Sequence, residues 1–188
     1  MTATPSDQWD QALEELLEAE PDQSDETKFR EVAVLVFDVS DKRLLAALLK
    51  GPQIAARTLA FIGGGVAVLD HSSEADSLEA ARAASSALPD YPICLLHRGP
   101  SEDPAAGEIQ ARCFLGGADQ GTIGPGLVLA PGPQLLEDLL IDPQAADKAL
   151  EEAVDVSTLG AAEAMRIITR HAAKLARLRR RRDWRADG

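Results

Sequence analysis

The residues best placed to do chemistry lie near the C-terminal end of the chain, where nine of its 19 Lys and Arg residues fall from Gly160 onward. Arg166, Arg170, Lys174, Arg177 and Arg181 recur at steps of three and four, so a helix would align them as a basic ladder. Arg179, Arg180, Arg181 and Arg182 are consecutive and point all round such a helix, and Trp184 follows them directly. The chemistry this predicts is recognition of anions, carboxylate or phosphate, by guanidinium forks with an aromatic neighbour for stacking. The helix macrodipole favours cations near a C-terminus, which accounts for one or two of them and not for nine. Eight of these cations, Arg166, Arg170, Lys174, Arg177, Arg179, Arg180, Arg181 and Arg182, together with Trp184, are the predicted partner-binding set.

Three readings of the ladder compete. It is a solvated, frayed helix end that offsets an acidic body; or it docks on the acidic N-terminal arm of this chain or of a neighbouring copy; or it contacts an external polyanion or acidic protein. Charge layout motivates the last two. Residues 1–27 hold nine acids and no Lys or Arg, and everything before Gly160 carries ten basic against 28 acidic residues, net −18. A body of that charge repels a nucleic-acid backbone wherever the tail does not shield it.

Other candidates carry weaker chemistry. Gly63, Gly64 and Gly65 could bring backbone amides up to an anion, but no Gly-Lys-Ser/Thr follows them, so a tight turn between strands is the expected role. Asp38 and Asp41 read as turn residues at the end of a strand. His97-Arg98, together with the glycine-rich stretch from Gly116 to Gly126, would form an anion site if the fold joined them. The histidines His71, His97 and His171 are scattered, and none has a partner at metal-ligand spacing. No serine has a Gly-x-Ser-x-Gly context. Cys94 and Cys113 lack a Cys-x-x-Cys pairing and read as buried thiols. No catalytic set, metal site or cofactor is predicted.

The elements that must position these residues follow from pattern. Trp9, Leu13, Leu16 and Leu17 recur at i, i+4, i+7 and i+8, a short amphipathic helix before the polar linker at Pro21. The apolar run from Glu31 to Asp38 predicts a buried strand. Ser40-Asp41-Lys42-Arg43 reads as a turn, with Leu44 to Leu49 returning as a second strand; a helix there is the alternative and would imply an open, mixed α/β sheet. Strands are expected at Thr58–Ile62, Val66–Leu69, Ile93–His97 and Glu108–Leu115, with a short one at Leu127–Ala130. Ser73 with Asp76 three positions on resembles a capping box opening a helix that ends before Pro89. Gly116 to Gly126 is predicted as a loop. Helices follow from Leu135 to Ile141, from Ala145 to Val154, and from Ser157 onward, the last packing on the body through Ala161, Met165, Ile168, Ala172 and Leu175.

The expected fold class is therefore α+β, a mainly antiparallel sheet of about five strands covered on one face by helices, with an N-terminal amphipathic helix and a helical C-terminal region. The expected organisation is an acidic helix and linker over 1–27, a core domain over 28–132, and a helical region with a basic tail over 133–188. No leader and no membrane-length apolar stretch is visible, so a cytoplasmic protein is expected. Heavy use of Ala, Arg and Asp points to a bacterial or phage source.

Three functions follow, from different classes. The leading one is a non-catalytic interaction protein, an adaptor, assembly or chaperone-like factor that docks a protein partner through charged termini. The alternatives are a small-molecule or nucleotide-binding enzyme using Gly116–Gly126 with Asp38, Asp41 or His97, and a nucleic-acid-associated factor acting through the Arg-rich tail. Self-association into a homo-oligomer is compatible with the first.

Overall fold

The computed structural model describes residues 31–71, 73–99 and 108–186, with side chains at all of these except 143–144 and 175–186. The expected N-terminal helix lies outside the described residues.

Among the described residues seven strands form one antiparallel sheet: β1 (Val32–Phe37), β2 (Ala56–Phe61), β3 (Gly64–Leu69), β4 (Ile93–Arg98), β5 (Ile109–Leu115), β6 (Ala118–Ile123) and β7 (Val154–Asp155), in the order β6-β5-β4-β1-β3-β2-β7. Among the described residues six helices accompany them: α1 (Lys42–Lys50), α2 (Glu74–Ala87), α3 (Gly126–Leu129), α4 (Gln134–Ile141), α5 (Pro143–Leu150) and α6 (Ala161–Ala186). The chain is thus α+β with a mainly antiparallel sheet, having two strands more than the pattern predicted.

The connectivity β1-α1-β2-β3-α2-β4 explains how helices and an antiparallel sheet coexist. β1 and β2 both run antiparallel to β3, so they are parallel to each other, and α1 crosses between them over the gap that β3 fills. By the same logic α2 links β3 to β4 across β1. This is the split β-α-β topology. The segment Leu44–Leu49 is therefore helical, not a returning strand, and yet the sheet is not the mixed one a helix there was expected to bring.

Helix α1 forms because Asp41 is an N-cap: its carboxylate accepts hydrogen bonds from the amides of Arg43 (3.0 Å) and Leu44 (3.1 Å). Leu44, Leu45, Ala46, Ala47 and Leu49 are buried beneath it. Loss of a cap carboxylate costs about 1 kcal/mol, so Asp41→Ala is expected to lower Tm by a few degrees in a thermal melt. Helix α2 opens as predicted, with the Ser73 hydroxyl accepting from the Asp76 amide (3.2 Å).

Helices cover both faces of the sheet, where one was expected. On one face Ala33, Leu35, Phe37, Ile93, Leu95 and Phe114 pack under α1, α2 and the start of α6. On the other, Val34, Val66, Val68 and Leu96 meet Leu136, Leu139 and Leu140 of α4. Leu127–Leu129, expected as a strand, is the short helix α3 on this second face.

The predicted loop at Gly116–Gly126 is mostly β6. Gly116 and Gly117 take φ of 59° and 82°, a two-residue hairpin turn, and Ser85 Oγ of α2 accepts the Gly117 amide (3.0 Å). An extra residue bulges β6 opposite Cys113 and Phe114. Among the described residues no helix is long and apolar enough to cross a membrane.

Candidate functional site

Helix α6 is anchored at its start. The Val156 amide donates to Ala56 O, Lys50 Nζ of α1 donates to the carbonyls of Val156 (3.2 Å) and Ser157 (3.1 Å), and Val156 and Leu159 are buried. Asp155 tightens the turn: hydrogen bonds from the Ser157 hydroxyl and amide hold its carboxyl below the ordinary value of 3.8. From there Ala164 packs into the core, with Ile167, Ile168 and His171 half-buried beside it, a stripe at i, i+3, i+4 and i+7.

That stripe corrects the predicted one. Ala161, Met165 and Ala172 are exposed, Met165 by 62%, and only Ile168 belongs to both stripes; Leu175 has no described side chain. At 100° per residue the buried stripe lies about a quarter-turn around the helix from the expected one. The rotation decides where the cations go. Arg166, Arg170 and Lys174 lie on the flank that borders the N-terminus of α1, while Ala161, Met165 and Ala172 lie on the opposite flank.

Between α6 and the start of α1 runs a groove of about 420 Å³ lined by Asp41, Arg43, Glu163, Arg166, Ile167, Arg170, His171 and Lys174. Four cations face two carboxylates there, and both carboxylates are engaged. Asp41 caps α1, and Glu163 Oε1 lies 2.7 Å from Arg43 Nη2 at the groove's end. Among the described residues no carboxylate pairs with Arg166, Arg170 or Lys174. Each of the three is exposed, and Arg166 spends one donor, Nε, on the Ala162 carbonyl one turn back (3.3 Å). The groove thus offers a row of guanidinium and ammonium groups over an apolar floor at Ile167, open to an anionic segment.

The structure brings three of the predicted residues into this site. Arg177, Arg179, Arg180, Arg181, Arg182 and Trp184 lie on the continuation of the same helix, which runs to Ala186, and their side chains fall outside the described residues. Arg43 and His171 were not predicted. Arg43 stands 120 positions from Glu163 in sequence, and only the packing of α1 on α6 brings it in.

The other candidates are dispersed. Asp38 is exposed at the end of β1, whereas His97 pairs in register with Ala33 near its beginning, about five residues or ~16 Å along the strand. The glycine-rich hairpin of β6 lies three strands from β1, ~14 Å across the sheet. His97 Nε2 lies 2.9 Å from Glu31 Oε1, and Arg98, only 2% exposed, donates through Nη1 to the Leu140 carbonyl (2.7 Å) at the last turn of α4. Gly64 and Gly65 are strand residues whose missing side chains let β3 lie close to the backbone of β1 and the turn after it.

Cys94 and Cys113 face each other across β4 and β5 with Sγ atoms 2.9 Å apart, half-buried where full burial was expected. Burial first, and then the bond to Cys113, push the Cys94 thiol up to about 12, so it stays protonated at neutral pH. A second cavity of about 510 Å³ opens between α2 and the ends of α1 and β3, lined by Gln53, His71, Asp76 and Glu79 among others. Gln53 there takes φ 59°, a left-handed conformation that is unusual for its residue type. Among the described residues no group of three His, Cys, Asp or Glu side chains is placed to hold a metal ion.

Comparison of the chain with protein-family models, curated proteins and solved structures gives no match.

Proposed function

We propose that this protein is a non-catalytic interaction protein, an adaptor or assembly factor, that docks an acidic segment of a protein partner in the α1–α6 groove. The observation that carries this reading is the row Arg166, Arg170 and Lys174, exposed on successive turns and facing Arg43 across a groove with no carboxylate assigned to them among the described residues. An acidic peptide suits the groove better than a duplex does. A peptide can enter and meet the apolar floor at Ile167, while the acidic body repels a long polyanion. The two thiols at Cys94 and Cys113 suit a reducing, cytoplasmic setting.

The test is a titration of a labelled polyglutamate peptide against the full chain and against the triple variant Arg166→Ala/Arg170→Ala/Lys174→Ala, read by fluorescence anisotropy. Three exposed ionic contacts at about 0.5–1 kcal/mol each correspond to about 10- to 100-fold in Kd, so the variant is expected to bind that much more weakly. Equal affinity of the two proteins would rule the groove out. A duplex oligonucleotide that binds more tightly than the peptide at matched salt would transfer the site to nucleic acid.

A further inference from the structure

The groove as read above has a candidate occupant within the same polypeptide. We propose that the acidic N-terminal segment of this chain, residues 1–27, docks intramolecularly in the α1–α6 groove and competes there with the external acidic partner. The inference rests on the groove being an acid-binding site, and three further observations support it.

The first is charge. Residues 1–27 carry nine Asp and Glu and no Lys or Arg. The groove and its helical extension carry the opposite charge: Arg43, Arg166, Arg170 and Lys174 line the groove, and six further Arg residues follow from Arg177 to Arg185. The second is pattern. Trp9, Leu13, Leu16 and Leu17 recur at a spacing that a helix would gather on one face, with Glu14, Glu15 and Glu18 interspersed. A segment of that kind can set an apolar edge toward Ile167 and its acids along the ladder.

The third is reach. The described chain begins at Glu31, whose carboxylate meets His97 on the sheet face that also bears α1, α2 and α6. β1 is six residues long and separates this entry from the α1 N-terminus by about 20 Å. The ten residues 21–30 span up to about 35 Å when extended, so the arm can return along that face to the groove.

Tethering turns a weak contact into an occupied one. A covalently attached acidic segment works at a millimolar effective concentration, so individually weak ion pairs compete well with a partner in solution. An external acidic protein must then displace the arm, which sets a threshold on partner affinity.

The experiment uses the full chain. Zero-length carbodiimide coupling joins a carboxylate to an amine only when the two are in contact, and Lys174 is the sole lysine of α6. The expected product is a monomeric species in which Lys174 is linked to a carboxylate of residues 1–27, mapped by peptide mass spectrometry and lost in molar salt. In parallel, Glu14→Gln/Glu15→Gln/Glu18→Gln in the full chain is expected to raise affinity for polyglutamate about fivefold or more by weakening the tethered competitor. Lys174 linked only to body carboxylates, or to residues 1–27 only in a crosslinked dimer, would overturn the proposal. The two readings fail separately. Peptide binding without the Lys174 link leaves the docking function standing and removes the internal occupant, whereas the link without peptide binding by any variant removes the docking function.

Discussion

Gly65→Ala is expected to lower the stability of this protein by about 3 kcal/mol, at the upper end of the usual penalty for overpacking. A Cβ at this position would lie 2.4 Å from Val39 O, 3.0 Å from Leu59 O and 3.2 Å from Leu45 Cδ2. The first two are backbone oxygens, which cannot swing aside as a flexible side chain would. Relief requires moving β3 away from the end of β1 at the centre of the sheet, where Gly65 pairs with Phe37. For a chain of this size the cost corresponds to a fall in Tm of about 6–12 °C. Gly63 differs: a Cβ there meets nothing within 4 Å, but its φ of 91° makes any side chain strained, so Gly63→Ala is expected to cost only about 1 kcal/mol. Thermal melts of the two variants decide what the triple glycine does. An anion loop would lose ligand binding in both and keep its stability, whereas a close strand crossing gives the graded loss of stability described.

Arg98→Met is expected to cost about 2–3 kcal/mol, the range for a hydrogen bond to a charged group. The guanidinium is 2% exposed and donates to the Leu140 carbonyl at the C-terminal end of α4, where the helix dipole favours a cation. Methionine restores much of the volume but not the donor, so the carbonyl loses this partner. Urea unfolding should show a lower midpoint with an unchanged slope, because the area exposed on unfolding stays the same. Binding of polyglutamate in the α1–α6 groove should not change. A variant as stable as the parent would mean that Arg98 does not hold α4 to the sheet.

Much of the sheet was legible because its strands are rich in apolar residues, and the central ones, β1, β3 and β4, are largely buried. Val32–Phe37, Ile93–Arg98 and Ile109–Leu115 stand close to their predicted bounds, and the Ser73 cap opens α2 as its spacing implied. Strand β6 was illegible for the opposite reason. Ala118 to Ile123 form an edge strand held mainly by backbone pairing, with largely exposed side chains that carry no alternating apolar signal. Helix α1 was misread because Asp41 serves equally well as a turn former and as an N-cap, and the apolar stretch Leu44–Leu49 fits either period.

The ladder was legible, but its setting was not. Two overlapping stripes on α6 share Ile168, and each sets alanine beside larger apolar residues, so composition could not choose which stripe faces α1. Choosing Ala164, Ile167, Ile168 and His171 is what aims Arg166, Arg170 and Lys174 at the N-terminus of α1. Arg43 had no local signal, since its part in the groove exists only once β1, α1 and α6 are packed.

The most direct measurement of the central claim is an amide chemical-shift titration of the isotopically labelled full chain with polyglutamate. The account predicts saturable shifts at Arg43, Glu163, Arg166, Arg170, His171 and Lys174, weakening as salt is raised. Saturable shifts that instead cluster along β6 or around Gln53 and His71, leaving the α1–α6 groove unperturbed, would contradict it.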